Sequence, residues 1–201
     1  RLDDLLHTDV DDIANFIEGL LEQGALYSTY YEDILYIYPP EMYVSEVESV
    51  HYTKDFLLEA DPISLDIPSF IEKFEADNHI TFGDAQKEAI QLSFFEKFSL
   101  ITGGPGTGKT TIIKALVKGF QLGGLGRIIL CAPTGRAAKR LTEATEFEAT
   151  TIHRLLVPVQ GSDSYDFTKN EDDPLDIDVI IIDEASMLNV RLFYSLMAAI
   201  P

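Results

Sequence analysis

The chain has 201 residues, 46% of them apolar, with a formal net charge of −19 and a single cysteine, Cys131. That length allows one large domain or two small ones, and the apolar fraction supports a real core. The composition excludes an internal disulfide, and no apolar run reaches the ~18–20 residues of a bilayer-spanning helix, so a membrane role has no support.

The start, Arg1-Leu2-Asp3-Asp4, is too acidic for a signal peptide, and the expected setting is cytoplasmic. Arg1 is not a methionine, which leads us to expect further residues before it. Residues 1–77 read as an acidic N-terminal unit. Ile13, Phe16, Ile17, Leu20 and Leu21 recur at helical spacing and Gly24 stops that helix. Two β-like runs, Ala25–Tyr31 and Ile34–Tyr38, flank Glu32-Asp33 as a hairpin. Pro39-Pro40 then opens a helix carrying Met42, Val44, Val47, Val50 and Phe56. Helix, hairpin, helix is compatible with a winged-helix-like α+β module. The alternative is a structural adaptor, favoured because the unit is too acidic to grip a DNA backbone. Asp61-Pro62 and Ile67-Pro68 punctuate a linker before a short helix from Ser69 to Ala76.

From residue 78 onward the pattern alternates strand and helix, so residues 78–201 read as α/β. The expected order is a helix from Ala85 to Phe98 capped by Asp84, then strand Ser99–Thr102 and a helix through Ile113 and Phe120. After the Gly123-Gly124 break come strand Arg127–Cys131, a helix from Gly135, and the segment Thr151–Leu156. A polar stretch over 157–176, strand Asp178–Ile182 and a last helix carrying Leu188, Leu192, Phe193, Leu196 and Ile200 complete it. Cys131 reads as a small buried strand residue. Residues 97–154 hold nine of the fifteen basic residues and only three acidic ones, a local surplus of +6 on an otherwise strongly acidic chain. Such asymmetry suits a local anion site.

Two motifs carry that anion chemistry. Gly103-Gly104-Pro105-Gly106-Thr107-Gly108-Lys109-Thr110-Thr111 has the spacing of a P-loop between a strand and a helix. Its glycines let consecutive backbone N–H groups curl around phosphate oxygens, and the helix from Lys109 aims its positive end at them. Lys109 is the candidate for the β- and γ-phosphates of ATP, and the Thr110 hydroxyl for Mg²⁺. Asp183-Glu184 ends a run of β-branched residues, as a buried parallel strand requires. Asp183 is the candidate metal carboxylate, and Glu184 the candidate general base for the attacking water.

Beyond these motifs, Ala132-Pro133-Thr134-Gly135-Arg136, Thr151-Ile152-His153-Arg154 and Ile182-Asp183-Glu184-Ala185-Ser186-Met187 follow the P-loop in that order. The series resembles superfamily 1 DNA helicases, specifically the RecD-like group related to the exodeoxyribonuclease V alpha subunit. It covers 81–201 well and 1–77 less specifically. The resemblance implies a partial RecA-like P-loop NTPase domain and ATP-driven 5′-to-3′ translocation on single-stranded DNA, in recombination and repair. By carry-over, Gln86 reads the adenine edge, and Thr134, Gly135 and Arg136 touch the DNA backbone. His153 belongs either to the same DNA-side surface or to ordinary packing. Residues 157–174 read equally as a duplex-splitting hairpin or as a solvated acidic loop. Implied partners are single-stranded DNA or duplex ends, and subunits of a nuclease complex.

The same resemblance places a further strand between the two motif-bearing strands, and a second motor domain that supplies arginines to the transferred phosphoryl group. Neither is found before Pro201, so the expectation is a truncated motor domain with little hydrolysis of its own. A P-loop switch without translocation and an interaction module with a vestigial P-loop are the competing readings.

Overall fold

The computed structural model describes residues 9–57, 63–161 and 165–201. The expected linker residues Asp61-Pro62, and Asp163 in the acidic stretch, lie outside them.

In the N-terminal part, helix α1 (Val10–Glu22) is capped by the Asp9 carboxylate, which accepts the Asp11 N–H. Strands β1 (Tyr27–Tyr31) and β2 (Ile34–Tyr38) pair antiparallel, with Tyr31 opposite Ile34 and Tyr27 opposite Tyr38. Glu32 and Asp33 both take positive φ, 47° and 63°, the backbone of a two-residue type I′ turn whose twist matches the strands. The first strand starts later than expected, because Ala25 and Leu26 donate to Leu20 O and finish the helix.

Helix α2 (Pro40–Asp55) forms where expected but buries a different face. Ser45 and Ser49 are its buried residues, while Val44 and Val50 are exposed. The seryl hydroxyls donate to Glu41 O and Ser45 O, four residues back, at 2.6 and 2.5 Å. They thereby satisfy themselves, and their small size allows close approach to the C-terminal helix.

Helix α3 runs over Ile67–Asn78, longer than the expected Ser69–Ala76. Asp66 caps it through Ser69, and Pro68 falls in the first turn, where a missing N–H costs nothing. Although the sequence boundary at 77/78 assigns it to the N-terminal unit, α3 packs into one cluster with α4 (Asp84–Phe95) and α5 (Lys109–Leu122). In that cluster Phe94 meets Phe70 and Phe120 edge-on, at 6.0 and 4.8 Å between centroids. Each such pair adds ~0.5–1.5 kcal/mol beyond burial. Gly119 of α5 leaves room for these rings, since a Cβ there would sit 2.3 Å from Phe94. The cap of α4 is Gly83 rather than Asp84: the Gly83 N–H donates to the Gln86 side chain at 2.8 Å, so Asp84 is already helical. The helix stops at Phe95, short of the expected Phe98.

The sheet contains β3 (Ile128–Ala132), β4 (Ala149–Thr151) and β5 (Val179–Ile182), all parallel in the order β4-β3-β5. Helices α6 (Gly135–Thr145), α7 (Ile152–Leu156) and α8 (Val190–Ala198) complete the chain. Alternation along β5 sends Val179 and Ile181 toward the α3–α5 cluster, and Ile180 and Ile182 toward the cluster of α7 and α8. Both faces are thus covered, which explains a strand with no polar residue. Cys131 is fully buried in β3, and burial pushes its thiol up to about 12. The N–H groups of Gly126 and Arg127 and the Arg127 guanidinium all donate to Asp178, tying the start of β3 to the start of β5.

Two expectations fail here. Ser99–Thr102 joins no ladder: β5 bonds only to β3, and no strand among the described residues lies beside the run. A strand exists only through its neighbour, so an apolar run alone cannot make one. Leu100 is consequently 72% exposed, while Ile101 packs on the α3–α5 cluster. Leu188 and Ile200 also fall outside the last helix: Asn189 caps α8 by accepting the Leu192 N–H, and the helix ends at Ala198. Among the described residues no helix is long and apolar enough to cross a membrane.

Candidate nucleotide-binding site

The loop 103–108 leads straight into α5. Gly106 and Gly108 take φ of 75° and 81°, in the left-handed region that favours glycine. Lys109 Nζ donates to Gly103 O and Gly104 O at 2.6 and 2.8 Å, and Thr107 Oγ1 donates to Gly104 O at 2.9 Å. The lysine thus folds back over its own loop and holds the loop carbonyls together. Thr110 and Thr111 follow in the first turn of α5, partly exposed.

Gln86 closes the site from the side. Its Oε1 accepts the Gly83 N–H, and its Nε2 donates to Thr107 O at 2.9 Å. A Cβ on Gly108 would meet that nitrogen at 2.6 Å, so the amide lies directly against the loop. The resemblance assigns Gln86 to base recognition, and the structure also makes it a link between the start of α4 and the P-loop, which its sequence position does not reveal. Glu75 supports the same corner: its carboxylate accepts the Phe82 N–H at 2.6 Å and pairs with Lys87. The Phe82 N–H is the main cause that holds its pKa below the usual carboxylate range, with Lys87 second.

The remaining candidates follow the C-terminal ends of the three parallel strands, the edge where open α/β sheets hold ligands. After β3, Thr134 caps α6 by accepting the Ala137 N–H, with Gly135 and Arg136 exposed in its first turn. After β4, His153 lies in α7 with its ring against Phe167, 5.8 Å between centroids, and 6.4 Å from Tyr165. After β5, Asp183 is partly buried and its N–H donates to Cys131 O. Glu184 is exposed and held at φ 56°, so the chain turns sharply right after the strand. Neither side chain makes a hydrogen bond or ion pair among the described residues. No three His, Cys, Asp or Glu side chains there form a metal cluster. A hydroxyl at 110 and a carboxylate at 183 are nonetheless hard oxygen donors of the kind that suit Mg²⁺, which keeps several waters and takes further oxygens from phosphates.

Residues 157–159 and 166–168 do pair with each other: Pro158 bridges Phe167 antiparallel, and Val159 and Thr168 donate to Asp166 O and Val157 O. The aromatic residues turn inward, however. Phe167 is buried in the α7–α8 cluster, and Tyr165 Oη accepts from Asn189 Nδ2 at 2.6 Å beneath the Arg191 guanidinium. Asn189 and Arg191 were missed by sequence reading. Asn189, just before an apolar periodic run, carried the one available signal, that of a helix cap.

A parallel sheet covered on both faces, with a glycine-rich loop opening α5, defines an α/β domain of the P-loop NTPase class. The family model described as AAA domain matches residues 86–201. The ATP-dependent RecD2 DNA helicase of Deinococcus radiodurans is 46% identical over 102 residues, 51% of this chain and 14% of that protein. The RecBCD enzyme subunit RecD of Mycolicibacterium smegmatis is 35% identical over 139 residues, 58% of this chain and 25% of that protein. The ATP-dependent DNA helicase dda of Enterobacteria phage T4 is 41% identical over 105 residues, 50% of this chain and 24% of that protein. The chain belongs to the AAA domain family, within its RecD-like superfamily 1 group. It spans a quarter or less of the length of these relatives.

Proposed function

We propose that this chain is the ATP-binding part of a longer ATP-dependent DNA helicase that moves 5′ to 3′ along single-stranded DNA in recombination and repair. The carrying observation is the row of strand ends: Thr134-Gly135-Arg136, His153 and Asp183-Glu184 follow adjacent parallel strands of the sheet on which the P-loop helix packs.

In this reading Lys109 leaves the Gly103 and Gly104 carbonyls for the β- and γ-phosphates, a better partner for an ammonium than two neutral oxygens. Backbone N–H groups of the loop between Gly103 and Thr111, except at Pro105, which has none, cradle the phosphates. Thr110 and Asp183 hold Mg²⁺, which neutralises charge on the phosphates when bound. Glu184 takes the proton of the attacking water, and Gln86 orients the adenine edge from the rim of the loop. Arg136 and the N-terminus of α6 receive a DNA phosphate, with His153 on the same side. Residues 1–77 act as an adaptor and 78–201 as the motor part, with α3 at the end of the first packed into the core of the second. Partners are single-stranded DNA or duplex ends and, in line with a relative named as a subunit of the RecBCD enzyme, subunits of a nuclease complex. The expected setting is cytoplasmic.

Titration with a fluorescent ATP analogue and Mg²⁺ tests the site. Saturable binding that Lys109→Ala removes is expected, and equal binding by both proteins would remove the P-loop from the reading. For the longer parent, ATP turnover stimulated by single-stranded DNA is expected. Turnover indifferent to DNA would reduce the parent to a nucleotide switch.

A further inference from the structure

The β1–β2 hairpin is a two-stranded sheet that, among the described residues, is covered at its base and leaves its tip exposed. Tyr30, Tyr31, Ile34 and Leu35 at its tip are 73, 65, 56 and 43% exposed. Its base is fixed: Tyr43 of α2 stacks on Tyr27 at 4.9 Å and meets Tyr38 edge-on at 5.9 Å. The cross-strand register puts Tyr31, Ile34 and Tyr36 on one face of the projecting part. An anchored finger with an apolar tip is a preorganised contact element, and tyrosines are enriched at such contacts because each joins an apolar body to a polar end.

Charge decides what the finger can meet. Residues 9–57 carry eleven carboxylates and a single lysine, Lys54. A nucleic acid or a second copy of this chain would approach against that field. Two of the carboxylates, Glu32 and Asp33, occupy the turn itself at positive φ, where Asn and Gly are favoured. Glutamate is a poor residue for that backbone, yet it sets negative charge beside Tyr31 and Ile34.

We infer that the hairpin tip docks a protein surface that presents arginines around an apolar strip, with guanidinium groups on Glu32, Asp33 and the tyrosine rings and aliphatic groups on Ile34. Arginine suits both halves of this surface, since it pairs with carboxylates and stacks on aromatic faces. The inference is independent of the ATPase reading.

The test uses the 201-residue chain and two fluorescein-labelled peptides of equal charge, one alternating arginine with leucine and the other arginine with serine. Anisotropy titrations compare the wild type with Tyr31→Ser/Ile34→Ser, which leaves the net charge unchanged. A second variant, Glu32→Gln/Asp33→Asn, keeps the apolar tip. The inference expects the arginine–leucine peptide to bind the wild type at least tenfold tighter than either variant, and tighter than the arginine–serine peptide. Equal affinity for wild type and variants would mean general charge attraction and overturn it, as would no binding at all. It would be overturned too by oligothymidylate binding that Tyr31→Ser/Ile34→Ser removes, or by a dimer in sedimentation that the same variant dissolves.

Discussion

Phe94 and Tyr30 occupy opposite environments in the same chain. Phe94 is 2% exposed and wedged between Phe70 and Phe120, with a glycine beneath it so that the rings can close up. Tyr30 is 73% exposed on a hairpin that Tyr43 holds at its base. In the P-loop part, aromatic residues provide cohesion and leave the loop and strand ends to polar groups. In the N-terminal part they form the surface, and the helix beneath buries serines instead. Aromatic content alone therefore does not locate the core. What locates it is whether the rings have partners.

The largest expected separation between the two regions is in activity. In the longer parent, Lys109→Ala should lower ATP turnover by roughly a hundredfold or more, the scale of losing one preorganised charge-stabilising donor. Tyr30→Ser should leave basal turnover unchanged in a steady-state phosphate-release assay. A comparable loss in both would break the division of labour.

For stability, Phe94→Ala should cost ~3–5 kcal/mol in urea unfolding, the usual range for deleting a buried aromatic ring. Gly119→Ala should cost less, ~1–3 kcal/mol, by overpacking against Phe94 and Phe70. A neutral Gly119→Ala would mean that the aromatic cluster has slack.

The Asp178 latch yields a pH prediction. Arg127 and two backbone N–H groups hold the Asp178 carboxyl down to about 2, from an ordinary value of 3.8. A depressed carboxylate contributes stability that is fully present above the ordinary value and lost as pH falls through the folded value. The difference in Tm between wild type and Asp178→Asn should therefore be greatest near neutrality and shrink between pH 4 and pH 2. At the small end, Tyr30→Ser should change unfolding free energy by no more than ~0.5 kcal/mol, as for a surface residue without special contacts.

The glycine-rich loop opening α5, the strand that ends before Asp183-Glu184 and the hairpin are legible in the sequence because each has a local signature: glycine spacing, a β-branched run, or a turn between alternating strands. Legibility fails where the answer depends on distant residues. Ser99–Thr102 looks like a strand from its own side chains, but pairing is decided elsewhere in the chain. The buried face of α2 was misjudged because valines outrank serines on any hydropathy scale, whereas close helix approach favoured the smaller residue. The Gln86–Thr107 and Asn189–Tyr165 contacts join residues more than 20 positions apart, and no periodicity encodes them.

The sheet's strand order carries a consequence for how the molecule assembles. On one side β3 pairs with β4, roughly 20 residues downstream. On the other it pairs with β5, and the Arg127–Asp178 contacts beside that pair close a loop of 51 residues. Loop-closure entropy rises by only ~0.6 kcal/mol per doubling, so both pairings are affordable, yet the shorter one has the kinetic advantage. β3, α6 and β4 should thus gather into a nucleus before β5 arrives. On that route the segment bearing Asp183 and Glu184 joins an existing half-sheet, and the strand-end row is completed by one of the last steps of folding.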